Sequence, residues 1–172
     1  MSSSAVAPSS PYPSLLNELP EHARAVEVLV DRAFGPGRFA KSSERLREGN
    51  RKLDDCSFVA LDEGRVIGSV RLWPVMVGDK PVAFLGPLAV DATARSHGLG
   101  QALVEAACAA AARAGWRAVL LVGDAPYFAR IGFSAGPAAR VTMPGPADQR
   151  RVLVKALVEG GDSGLVGPIR VA

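Results

Sequence analysis

Aromatic residues make up only 6% of this 172-residue chain, and it contains just two cysteines and two histidines. Cys56 and Cys108 belong to no C-x-x-C pair and no Cys/His cluster. That argues against a disulfide scaffold and leaves no metal-ligating set, so both read as reduced thiols with packing roles. No apolar run is long enough to cross a membrane, which gives no reason to expect a membrane partner. Blocks of like charge are also missing. The net charge of +3 comes from Lys and Arg spread along the chain, a solvated surface rather than a nucleic-acid face. Met1 to Ser14 is rich in Ser, Ala and Pro but has no basic stretch and no apolar core. It reads as a disordered leader rather than a secretory signal, ahead of a single cytoplasmic domain over 15–172.

What is present is the composition of one globular domain, 48% hydrophobic and 22% charged. Val26, Leu29, Val30, Ala33 and Phe34 recur at helical spacing between Pro20-Glu21 and Gly35, predicting a first helix. Ser42 or Ser43 would cap a weaker second helix to about Glu48. Ser57 to Leu61, the turn Asp62-Glu63-Gly64 and Val66 to Trp73 predict a hairpin. Val75-Met76-Val77, the turn Gly78-Asp79 and the run Val82 to Val90 follow. Pro87 has no N–H for a ladder, so that run either bulges or lies at a sheet edge. A helix from Leu99 to Ala114 then leads to a buried strand, Ala118 to Val122, and a short segment, Asp124 to Ile131. Strands near Phe133 to Met143 and Val152 to Leu157 precede a glycine-rich loop, Gly160 to Gly167, and a short tail. The order is α+β.

Between the run ending at Val90 and the alanine-rich helix stands Arg95-Ser96-His97-Gly98-Leu99-Gly100. A glycine turn joining a strand to a helix gathers N–H groups where they can hold phosphate. The dinucleotide fingerprint needs Gly or Ala at 103, where Leu103 stands, and a P-loop needs a Lys where Gln101 stands. What remains, R-x-x-G-x-G behind Leu85-Gly86-Pro87-Leu88-Ala89-Val90, resembles the pyrophosphate turn of the GCN5-related N-acetyltransferase (GNAT) superfamily. About 30 residues on, Tyr127-Phe128-Ala129-Arg130-Ile131-Gly132-Phe133 is similar to that family's segment beside the thioester of coenzyme A. Each motif alone also fits a structural turn or a small core helix; together, in this order, they point to the family. Val122-Gly123-Asp124-Ala125-Pro126-Tyr127 is further similar to a bacterial branch with poorly defined acceptors.

The resemblance implies a single domain with a mixed, mostly antiparallel sheet of about six to seven strands. That sheet would be splayed at its fourth and fifth strands, with helices on both faces. It implies an N-acetyltransferase that passes acetyl from acetyl-CoA to a primary amine by direct attack in a ternary complex. The acceptor would be a small molecule or a protein amino group, the enzyme a monomer or homodimer, and no metal would be needed. Pantetheine would pair along Leu88, Ala89 and Val90, and the Val90 N–H would be the oxyanion donor. Arg95, Ser96, His97, Gly98, Leu99, Gly100 and Gln101 would take the pyrophosphate, with Gly98 and Gly100 allowing close backbone approach. Many members place a Tyr acid at the position of Phe128. Here either Tyr127 serves as the acid, through altered local geometry, or water does. No base stands out: Asp91, Asp124 and Glu105 read as surface or capping groups, and a base relayed through solvent is expected. Gly35 to Lys41 and Met143 to Arg150 would shape the acceptor pocket. Two other readings stay open: a longer-chain or carrier-protein donor, and a non-catalytic coenzyme A sensor, which Phe128 favours.

Overall fold

A computed structural model describes residues 14–172, apart from the side chains of Ser96 and His97. The first thirteen residues of the expected leader lie outside the described residues. Its last, Ser14, opens strand β1 (Ser14–Asn17), which pairs antiparallel with β2 (Phe58–Asp62). A four-residue strand of this kind is held by its neighbour, and its own sequence carries little signal.

Helix α1 (Ala23–Phe34) follows a short 3₁₀ turn and stops at Gly35, whose φ of 70° suits glycine. The expected second helix is instead a 3₁₀ turn, Ser42–Leu46, and the stretch before it forms another, Pro36–Ala40. Ser42 caps nothing, because its hydroxyl donates to the Pro146 carbonyl (3.0 Å) and ties this segment to a distant loop. Strand β3 (Arg65–Val77) runs without a break where two pieces were expected, and β4 (Lys80–Val90) returns beside it. Helix α2 (Leu99–Arg113), strand β5 (Ala118–Val122) and the short helix α3 (Ala125–Ala129) match the sequence reading closely.

The expected strand over 133–143 reduces to one bridge, Ser134 to Val154, and the two-residue strand β6 (Val141–Thr142). Strand β7 (Val152–Ala156) pairs with β5. The tail forms β8 (Gly167–Val171), which pairs with β3 and β6. Its glycine, proline and arginine give it no strand pattern of its own; the end of the long β3 supplies its partner.

The strand order is β1-β2-β3-β4-β5-β7, antiparallel throughout except for β4 and β5. One face is covered by α2, whose Leu103, Val104 and Ala107 pack with Val70, Leu72 and Val119 of the sheet. Gly68 lets the helix come close, since a Cβ there would lie 2.9 Å from Leu103. The opposite face takes α1, with Val26, Leu29 and Val30 against Val59 and Ala89. The sheet therefore has helices on both faces, with β4 and β5 adjacent inside it.

Candidate active site

Strands β4 and β5 are paired only at Ala83–Val119 and Phe84–Leu120, after which they part. The cause lies in β4. Opposite Gly86-Pro87 the β3–β4 register slips, with Val70 facing Leu88 and Leu72 facing Leu85. Two β4 residues thus stand against Arg71 alone, so Pro87 marks a bulge in a central strand and not an edge. The Trp73 indole N–H donates to the Gly86 carbonyl (2.6 Å), holding the bulge in place.

Beyond the bulge the Asp91 N–H donates to the Ile67 carbonyl (2.7 Å). Antiparallel ladders alternate, so Ala89 also addresses β3 while Leu88 and Val90 turn their N–H and C=O groups toward the gap. The Ala89 side chain is buried under α1. The Arg95 guanidinium donates to the Val90 carbonyl (3.1 Å) and closes one position of this open edge.

That edge runs into the start of α2. A 3₁₀ turn, Ala92–His97, is capped by the Asp91 carboxylate, which accepts from the Thr93 N–H (3.0 Å) and hydroxyl (2.7 Å). These bonds, the hydroxyl's first, hold Asp91 below the usual carboxylate range, the behaviour of a cap and not of a base. Gly98 follows at φ 71° and ψ 13°, the left-handed region, and no side chain caps α2. Among the described side chains none caps the first N–H groups of α2, from Leu99 to Gln101. Gly100 is glycine for a different reason. A Cβ there would lie 2.6 Å from the Tyr127 hydroxyl, with Val90 also within 4 Å.

Tyr127 and Phe128 stand on α3, capped by the Asp124 carboxylate, which accepts from the Tyr127 N–H (3.2 Å). Their rings meet edge to face at 4.8 Å, and Phe128 meets Phe133 in the same way at 5.8 Å. Phe128 is buried against Gly123, where a Cβ would come within 2.5 Å of its ring. The hydroxyl-bearing ring is thus the one turned toward α2. Burial pushes the Tyr127 phenol up, with Arg130 opposing it weakly, so it stays protonated at neutral pH.

A cavity of about 570 Å³ opens between Phe84–Leu88 of β4 and Leu121–Asp124 at the end of β5, with Tyr127 and Phe128 on its wall. Its far wall includes residues of both segments expected to shape an acceptor pocket, Arg38, Ala40 and Lys41 from one and Pro146 to Asp148 from the other. Ser42, Ser43, Arg47 and Arg151 also line it, and sequence reasoning did not find them. Ser42, Ser43 and Arg151 directly follow the two flagged stretches, whereas Arg47 lies outside both. Arg47 is brought to the β4 bulge by tertiary packing, so no local pattern marks it. Among the described residues no group of His, Cys, Asp and Glu could hold a metal.

Residues 23–133 match the model of the acetyltransferase (GNAT) family. The chain belongs to that family. It is 31% identical over 153 residues to the uncharacterized N-acetyltransferase YhbS of Escherichia coli K12, covering 87% of this chain and 90% of the relative. The crystal structure of the E. coli GNAT family protein YhbS, solved in complex with CoA, superposes with a TM-score of 0.79. It shares 29% identity over 94% of this chain and 90% of its own. A Brucella melitensis GNAT family acetyltransferase, solved with acetyl-CoA, has the same fold at 23% identity and a TM-score of 0.59. That match covers 81% of this chain and 93% of the other. This GNAT chain is accordingly an enzyme of the N-acetyltransferase class, and the splay of β4 from β5 is the centre of its fold.

Proposed function

We propose that the protein transfers acetyl from acetyl-CoA to a primary amine by direct attack while both are bound. The observation that carries this is the open Leu88–Val90 edge leading toward the start of α2, which no described side chain caps, beside a cavity that Leu88 lines. Pantetheine would extend the sheet at that edge, and pyrophosphate would meet the N–H groups near Gly98 to Gln101. Arg95 would exchange the Val90 carbonyl for the cofactor. The CoA and acetyl-CoA complexes of the E. coli and Brucella proteins support this choice of donor.

In the reaction the amine nitrogen forms a C–N bond to the acetyl carbon, and the C–S bond breaks. The charge on the carbonyl oxygen would meet a backbone N–H of the open edge, for which Val90 is the candidate. The departing thiolate would take a proton from Tyr127 or water, and the proton lost by the amine would go to solvent. A covalent acyl-cysteine route is disfavoured on this reading. Burial raises the Cys56 thiol and pushes Cys108 up to about 11, so neither supplies a thiolate nucleophile. Orientation of the two reactants can supply much of the rate.

The test is thiol release from acetyl-CoA in the presence of a panel of amines, with the acetylated product identified by mass. Product that depends on both reactants and fits a sequential rate law is expected. Ping-pong kinetics would overturn direct attack, and tight coenzyme A binding with no product from any amine would favour a sensor.

A further inference from the structure

The cavity wall facing β4 holds four cations, Arg38, Lys41, Arg47 and Arg151, and two acids, Asp124 and Asp148. Their hydrogen bonds decide what each can still offer a ligand. Arg38 is paired with two carboxylates, its guanidinium donating Nη2 to Glu27 (2.9 Å) and Nε to Asp31 (3.0 Å), so its charge is already answered. Asp124 caps α3 through Oδ2 alone and keeps Oδ1 as a spare acceptor, and Asp148 accepts from the backbone and guanidinium of Arg150. Arg47 gives Nε and Nη2 to the buried Glu44 (3.2 and 2.7 Å), leaving Nη1 turned to Gly86 at the bulge. Arg151 gives only Nε, to the Gly123 carbonyl (3.2 Å), which anchors it at the end of β5. Lys41 rides over the Phe34 ring at the rim, its ammonium 5.5 Å from the ring centre. Spare donors thus outnumber spare acceptors in a partly enclosed site, where charge counts for more than in open water.

We infer that the acceptor is an amine bearing an anionic group, a carboxylate or a phosphate, which Arg47, Arg151 and Lys41 hold beside the β4 bulge. The inference rests on the acetyl-transfer reading only for the fate of the amine. The same cations would also disfavour the ammonium form of a nearby amine, helping to present the free amine that must attack. A cavity with no dedicated base would gain by that.

The experiment measures calorimetric binding, to protein saturated with coenzyme A, of two matched pairs of probes. One is γ-aminobutyrate against its amide, and the other is phosphoethanolamine against ethanolamine. The anionic member of at least one pair should bind about tenfold tighter or better, as charge-assisted hydrogen bonds to Arg would give. Which pair shows it tells carboxylate from phosphate. That preference should fall about tenfold in Arg151→Gln and further with Lys41→Gln added, both at exposed positions. Because Arg47 pairs with the buried Glu44, it is tested as the double variant Glu44→Gln/Arg47→Gln, which removes both charges together. Equal binding within both pairs, or a preference untouched by all these changes, would overturn the anion site. Turnover of the same amines separates the two readings. Tight anion binding without acetylation removes the transfer function alone, whereas acetylation indifferent to charge removes the anion site alone.

Discussion

Gly98 and Gly100 are two residues apart and are glycine for unrelated reasons. At Gly98 the left-handed backbone excludes other residues while nothing lies near the absent Cβ. Gly98→Ala should lose about 1–2 kcal/mol of stability, whatever surrounds it. At Gly100 the obstacle is one atom, the Tyr127 hydroxyl, with the ring carbon behind it already 3.8 Å away. Gly100→Ala should therefore destabilise the native protein but be neutral or stabilising in a Tyr127→Phe background, where helix propensity wins. Denaturant unfolding of the four proteins of that cycle tests it, and additive effects would show that the contact does not matter. Tyr127 carries a second prediction. If it is the acid, Tyr127→Phe should lower kcat about 10²-fold or more with little change in donor KM. Because burial raises its pKa, kcat of the native enzyme should show no loss of an acid up to about pH 10. A folded Tyr127→Phe enzyme with unaltered kcat over that range would assign the proton to water.

At the scale of elements, a chain of ion pairs joins the wall of the cavity to the bulged sheet. Arg71, the β3 residue opposite the bulge, donates to Glu18 after β1 (2.9 Å) and to Glu27 on α1 (2.8 Å). Glu27 passes the linkage to Arg38, on the turn that lines the cavity. Burial raises the Glu27 carboxyl, but Arg71 and then Arg38 more than offset it, so its pKa lies below the ordinary value. A carboxylate depressed in the folded state contributes stability above its unfolded pKa and loses it as pH falls through the folded one. In urea, the stability gap between native protein and Glu27→Gln should be full at neutral pH, narrow below about pH 4.5 and close in stronger acid. A gap that does not change with pH would mean the carboxylate contributes by packing alone. A carboxylate held this low is also a poor base, which leaves the network a positioning role for α1 and the turn after it.

For the whole molecule, the neighbouring strands β4 and β5 are held together at one end and open at the other, so a ligand that bridges the gap should stabilise the fold. Acetyl-CoA at a hundredfold excess over its Kd should add about 2.7 kcal/mol, a shift of several degrees in thermal unfolding. NAD and ATP should give none, because Leu103 and Gln101 stand where their fingerprints need other residues. Equal shifts with all three would mean that the turn before α2 does not discriminate among phosphate ligands.

The sequence by itself determined the elements whose physics is local. Helical apolar spacing placed α1, the alanine-rich stretch closed by Gly115 placed α2, apolar runs between turns placed β2 through β5 with β3 in two pieces, and the turn at 95–100 together with the segment at 127–133 pointed to the family. Pro87 announced a disturbance, but whether it meant a bulge or an edge depended on β3 lying beside it. Strands β1 and β8 were invisible because neither carries a strand pattern of its own, and each owes its existence to the neighbour it pairs with. The run at 133–143 looked strand-like but lacks a partner over most of its length, so it forms only a bridge and two residues of β6. The tertiary structure alone decided that the Tyr127 hydroxyl lies over Gly100 and that Arg47 reaches the bulge at Gly86. Contacts between residues this far apart in the chain arise only when separate elements pack, and no periodicity along one segment encodes them.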